Sequence, residues 1–130
     1  MLRYAFQYKF SILLGIMIAL LSLLPGSSLP GSSLFNIPHF DKIAHFSMYA
    51  LFGFVALIES RYSRLCYGYH ILLLVAILLL SALIEILQAT VVESRGAEWY
   101  DLLANFIGLV GAYLVFRLIG SSGIFSFLRS

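Results

Sequence analysis

The chain has 130 residues, 62% of them hydrophobic and 11% charged, with a formal net charge of +2. Soluble domains run at about 45–50% apolar and about 25% charged, so a water-soluble domain of this size could not hide so much apolar surface. The slight positive charge, with no basic cluster or aromatic platform, excludes a nucleic-acid-binding protein, and a single cysteine, Cys66, excludes an internal disulfide or a thiolate metal cluster.

These limits leave an all-α integral membrane protein: a bundle of four transmembrane helices in one domain over residues 1–130. Barrel strands would need alternation over about ten residues, and none is present. A first helix is expected over about residues 5–24. Arg3 and Lys9 resemble the charged start of a signal peptide, but Leu23-Leu24-Pro25-Gly26 lacks the small-x-small pattern of a cleavage point, so the helix is read as retained. A loop follows in which PGSSL at 25–29 repeats at 30–34, the proline, glycine and serine of a turn-rich connection. A second helix is expected over about 41–59, a third over about 69–91 and a fourth over about 100–119. The tail at 120–130 mixes glycine and serine with Ile124, Phe125, Phe127 and Leu128, a pattern suited to lying at the membrane surface.

Lysine and arginine placement sets the direction. A cytoplasmic N-terminus puts Arg3, Lys9, Arg61, Arg64, Arg117 and Arg129 inside and only Lys42 and Arg95 outside. The positive-inside rule then predicts both termini in the cytoplasm and the loops 25–42 and 92–100 on the outer face.

Glu85 stands in the otherwise apolar stretch of the third helix, where an ionisable group at the bilayer centre costs roughly 2.5–3.5 kcal/mol and therefore tends to face a protein interior or a wet cavity. It lies about 9 Å below the expected outer end of that helix, and Ser81 and Gln88 share its face. In the second helix Asp41, His45 and Tyr49 recur every four residues and share a face, with Asp41 also placed to cap the helix start. The fourth helix opens with Trp99, Tyr100 and Asp101, then follows the stripe Asp101, Asn105, Gly108, Ala112. Packed side by side, the outer ends of these helices would form one polar pocket opening outward, with Lys42 and Arg95 as anion-attracting groups at its mouth. The inner half is expected to hold no comparable set: His39, His70, Glu93 and Glu98 read as interface or loop residues, and Trp99, with Tyr100, as membrane-belt aromatics. Ala104-x-x-x-Gly108-x-x-x-Ala112, Gly53-x-x-Ala56 and Gly15 with Ala19 read as small-residue faces that let helices approach closely.

The series Asp41-Lys42-Ile43-Ala44-His45-Phe46-x-x-Tyr49, Glu85-x-x-Gln88, Arg95 and Asp101-x-x-x-Asn105-x-x-Gly108 resembles the VanZ-like family of small bacterial membrane proteins over about residues 37–120. The resemblance implies a multi-pass protein of the bacterial cytoplasmic membrane, with motif positions at Asp41, Lys42, His45, Tyr49, Glu85, Gln88, Arg95, Asp101 and Asn105. It also implies an association with lowered susceptibility to the glycopeptide antibiotic teicoplanin, without implying a reaction. Three functions fit the residues. A binding or accessory role in the cell envelope would hold a membrane lipid, a lipid-linked cell-wall precursor or a glycopeptide antibiotic in the pocket. An intramembrane enzyme would use Glu85 or Asp101 with His45 as base and acid, although no established catalytic signature is present, so the reading leans away from an enzyme. A transporter would need polar residues through the whole thickness. No cofactor is expected, and a metal is not expected because only one histidine lies in the set.

Overall fold

The computed structural model describes residues 2–23, 40–61, 67–91 and 99–121. Every one of these except Tyr8 is helical, in the order α1 (Leu2–Gln7), α2 (Lys9–Leu23), α3 (Phe40–Arg61), α4 (Tyr67–Val91) and α5 (Trp99–Ser121). The expected first helix is therefore two segments separated at Tyr8, where the Tyr8 carbonyl still accepts the Ile12 N–H at 2.8 Å. The other three helices begin one to two residues earlier than expected and end level with or two residues beyond the expected limits. Gly120 and Ser121 continue α5 and residues 40–42 and 99–100 of the expected loops belong to α3 and α5, while the rest of the expected surface tail and of both loops, with Cys66, lies outside the described residues.

Three stretches are long and apolar enough to cross a membrane: Lys42–Arg61, Gly68–Val91 and Trp99–Gly120. Lys9–Leu23 is a shorter apolar helix, about 22 Å long against ~30 Å of hydrocarbon. The outward side chains suit lipid as solvent. Leu72, Leu79, Leu83 and Ile86 of α4, and Ile107, Leu114 and Leu118 of α5, are about half exposed or more.

The buried centre is built on α3, which touches α2, α4 and α5 and packs most extensively on α5. Tyr49, Phe52, Ala56 and Leu57 of α3 cluster with Ile18 of α2, Leu74 and Ile77 of α4, and Leu109 and Phe116 of α5. The α3–α5 contact is backbone on backbone. A β-carbon at Gly108 would stand 2.5 Å from the Phe46 carbonyl oxygen and 3.0 Å from the Ala50 nitrogen. A β-carbon at Gly53 would meet the Leu109 side chain at 2.8 Å and Ala112 at 3.3 Å. Gly15 makes the corresponding room on α2 for the Phe52 ring, 3.0 Å from where its β-carbon would be. The small residues thus act as close-approach sites, as their spacing suggested.

Two polar side chains hold α2 by its ends. Glu59 of α3 accepts the N–H groups of Phe10 and Ser11, both at 2.9 Å, and the Ser11 hydroxyl. Gln7 donates to the Glu59 backbone carbonyl at 3.2 Å. At the opposite end Gln88 of α4 donates its amide to the Ser22 carbonyl. These are among the four N–H and four C=O groups that a helix cannot satisfy itself, and in hydrocarbon each unsatisfied one costs several kcal/mol.

The Glu59 cluster corrects the expectation that the end of the bundle away from His45 lacks a polar set. Glu59 sits near the helix end beside Ser60 and Arg61, where the sequence reads as an ordinary polar terminus, yet it is buried. His70 is also buried rather than interfacial, edge-on to Phe116 with ring centroids 5.4 Å apart.

Three outcomes check this packing. Gly108→Ala should destabilise the detergent-solubilised protein by about 1–3 kcal/mol in thermal or denaturant unfolding, because helix backbones must separate. Gly111→Ala, with nothing within 4 Å of the added carbon, should leave stability unchanged or raise it by up to about 1 kcal/mol. Glu59→Gln should weaken the hold on α2 by about 1–3 kcal/mol, seen as lost hydrogen-exchange protection at Phe10 and Ser11 with protection in α3 and α5 retained.

Candidate functional site

The first two turns of α3 and α5 lie together at one end of the bundle, and the last turns of α4 run alongside them in the opposite direction. That end carries the polar stripes. On α3, Lys42, His45 and Tyr49 project toward the neighbouring helices. Ser81 and Glu85 project from α4, and Asp101 and Asn105 from α5. His45, Tyr49, Ser81, Glu85, Asp101 and Asn105 are all buried.

A chain of hydrogen bonds orients the histidine. The Asn105 amide Nδ2 donates to Ser81 Oγ at 2.7 Å, which turns Asn105 Oδ1 toward His45 Nδ1 at 3.1 Å. With Oδ1 on that side, Nδ1 carries the proton, and in the neutral ring Nε2 offers its lone pair. The Tyr49 hydroxyl is hydrogen-bonded to Ser81 and within electrostatic reach of Glu85, closing the network against α4.

Nε2 of His45 faces acid. It lies 3.9 Å from Asp101 Oδ2, and donor atoms of His45, Glu85 and Asp101 all lie within 4.8 Å of one another. Lys42 Nζ stands 3.8 Å from Asp101 Oδ1. The Lys42 side chain is 27% exposed against 10% for Asp101 and His45, so the cluster reaches the surface along the lysine. Asp101 lies in the first turn of α5, where the helix dipole favours a negative charge. Chemically the set offers two carboxylates and an oriented imidazole for proton transfer or cation binding, and an ammonium for an anionic group.

The structure thus gathers Lys42, His45, Tyr49, Glu85, Asp101 and Asn105 from the positions singled out in the sequence. Gln88 is turned away, to the Ser22 carbonyl of α2. Asp41 lies in the first turn of α3, but its side chain, like Arg95 entirely, lies outside the described residues. Ser81 is the residue whose importance sequence reading understated. Its signal was its place one turn before Glu85, but a lone serine in a leucine-rich helix carries no weight until Asn105 and Tyr49 are seen to meet on it. Trp99 and Tyr100 are exposed at the same end.

The VanZ/LLP1 family model matches residues 3–120, nearly the whole chain and all four groups of described residues. No curated protein and no solved structure gave a match. The extent of the family match, over helices long and apolar enough to cross a membrane three times, identifies the chain as a multi-pass membrane protein belonging to the VanZ/LLP1 family.

Proposed function

We propose that the protein is a four-pass component of the bacterial cytoplasmic membrane that binds the polar head of an amphiphilic or lipid-linked envelope molecule on its outer face. In this reading α1 and α2 together form the first span. The pinning of α2 at both ends by Glu59 and Gln88 supports this, since a helix shorter than the hydrocarbon thickness can sit at membrane depth when protein groups meet its termini. The six-to-two distribution of lysine and arginine supports cytoplasmic termini, which puts the His45–Glu85–Asp101 end outward.

One observation carries the binding role: among the described residues, a buried acid–histidine cluster lies directly behind a partly exposed lysine. Lys42 is placed to draw an anionic head group, and the side chains behind it to orient its polar part. Arg95 would add a second cation from the outer loop. A lipid-linked cell-wall precursor or a lipid-anchored glycopeptide such as teicoplanin has this combination of apolar tail and charged head, which connects the site to the resistance role the family resemblance implies. A second reading, an intramembrane enzyme acting on a lipid head group, is favoured by the fixed tautomer of His45 opposite two carboxylates.

Binding of reconstituted protein to a lipid-linked wall precursor, to teicoplanin and to a zwitterionic lipid separates these readings. Lys42→Ala and Arg95→Ala should each weaken binding of the anionic ligand by about ten- to a hundredfold, with retained helicity and little change for the zwitterionic lipid. Turnover that disappears in Glu85→Gln while binding persists assigns the enzyme. Parental binding in Lys42→Ala, Arg95→Ala, His45→Ala and Glu85→Gln, all folded, overturns the site.

A further inference from the structure

We infer that His45, Glu85 and Asp101 form a binding site for a divalent first-row transition cation of the manganese-to-zinc type. The inference rests on the same cluster as the proposed binding role but concerns the ion alone, and it departs from the sequence expectation that one histidine is too few.

Three features point to it. First, the distances do not suit a proton. A charge-assisted hydrogen bond between imidazole and carboxylate would close to about 2.7–2.9 Å, whereas Nε2 and Asp101 Oδ2 stand 3.9 Å apart. Two donors each about 2.0–2.2 Å from one tetrahedral ion stand roughly 3.3–3.6 Å apart, so this pair has to close by only a few tenths of an ångström to share a cation. The whole set lies within 4.8 Å, and loading would draw the donors inward. Second, the histidine is prepared as a ligand. Its remote nitrogen is held by Asn105, itself held by Ser81, the outer-shell arrangement that fixes the tautomer of a metal-binding imidazole. Third, the donors are gathered away from water: among the described residues, two carboxylates and a histidine are buried together at one end of the bundle, with Lys42 beside Asp101.

The donor set narrows the ion. Two carboxylates and one imidazole, without thiolate, suit manganese, ferrous iron or zinc rather than a soft cation such as cuprous copper. Three protein ligands leave at least one coordination position open.

The test uses full-length protein in detergent, stripped with EDTA and titrated with zinc and, separately, with manganese. The measurements are metal content, calorimetry and, for manganese, paramagnetic resonance. One ion per chain is expected. Binding should weaken at least a hundredfold in Glu85→Gln and Asp101→Asn, about ten- to a hundredfold in Asn105→Ala, and not at all in His70→Gln, which alters a buried histidine distant from the set. The amide variants remove buried charge and should keep or raise the stability of the metal-free protein, so loss of metal in a folded protein is readable. Sub-stoichiometric binding by the parent protein, or equal loss in His70→Gln, overturns the site. Anionic-lipid binding measured in parallel with EDTA present separates the two ideas: lipid binding that survives without stoichiometric metal leaves the binding role standing and removes the ion, and metal binding without lipid binding does the reverse.

Discussion

The contact of α3 with α5 at Gly108 governs where everything else can be. Because Gly108 carries no side chain, the α5 backbone comes against the Phe46 carbonyl and the Ala50 nitrogen of α3. Asn105 and Asp101 lie one and two turns nearer the end of α5, on the stripe that includes Gly108, and His45 is the immediate neighbour of Phe46. Close approach at the glycine is what allows a short amide to reach the imidazole at 3.1 Å and a carboxylate to face its other nitrogen. In lipid, apolar side chains gain little by associating with one another, so close backbone packing and interhelical hydrogen bonds have to supply the cohesion. Here both occur on one helix face, which couples the integrity of the bundle to the geometry of the site.

The remaining helices are fastened by polar groups used sparingly. Glu59 satisfies α2 at its start and Gln88 near its finish, while Phe52 fits against Gly15 midway. Both polar contacts consume backbone groups that a helix terminus must otherwise present to water. Gln88 lies one turn from Glu85 on α4, so the helix that contributes a site carboxylate also holds α2 beside it. The position of Glu85 is therefore constrained from the α2 side as well as through Tyr49 and Ser81.

Much of this was legible in the sequence because lipid imposes a simple rule. Apolar stretches mark the helices, and an acid among them has to face inward, so the i, i+4 spacing of His45 with Tyr49 and of Asp101 with Asn105, together with Glu85, already indicated a shared interior. The spacing of Ala104, Gly108 and Ala112 likewise indicated a contact face. What escaped were features of pairing rather than of composition. Glu59 sits next to a serine and an arginine at a helix end and looks solvated until α2 is seen to present its N–H groups there. His70 has the look of an interfacial residue, yet Phe116 of another helix covers it. Gln88 and Glu85 lie one turn apart, and only the position of α2 shows that they serve different neighbours.

Among the described residues outside α5, Glu59 and Glu85 are buried acids with different surroundings. Glu59 has both oxygens committed: two backbone N–H groups and a hydroxyl, all from α2 and all at hydrogen-bond distance. These donors are all supplied by the fold itself. At the other end Glu85 and Asp101 are brought close to one another and to the histidine, and the charged neighbour Lys42 stays at 3.8 Å and partly exposed. Two negative charges held together away from water repel strongly, and helix N-termini offset this only by about 0.3–1 kcal/mol each at exposed sites and up to ~2 kcal/mol when partly buried. A cation held between Glu85, Asp101 and His45 would offset that repulsion from within the cluster, beside the lysine that already faces Asp101.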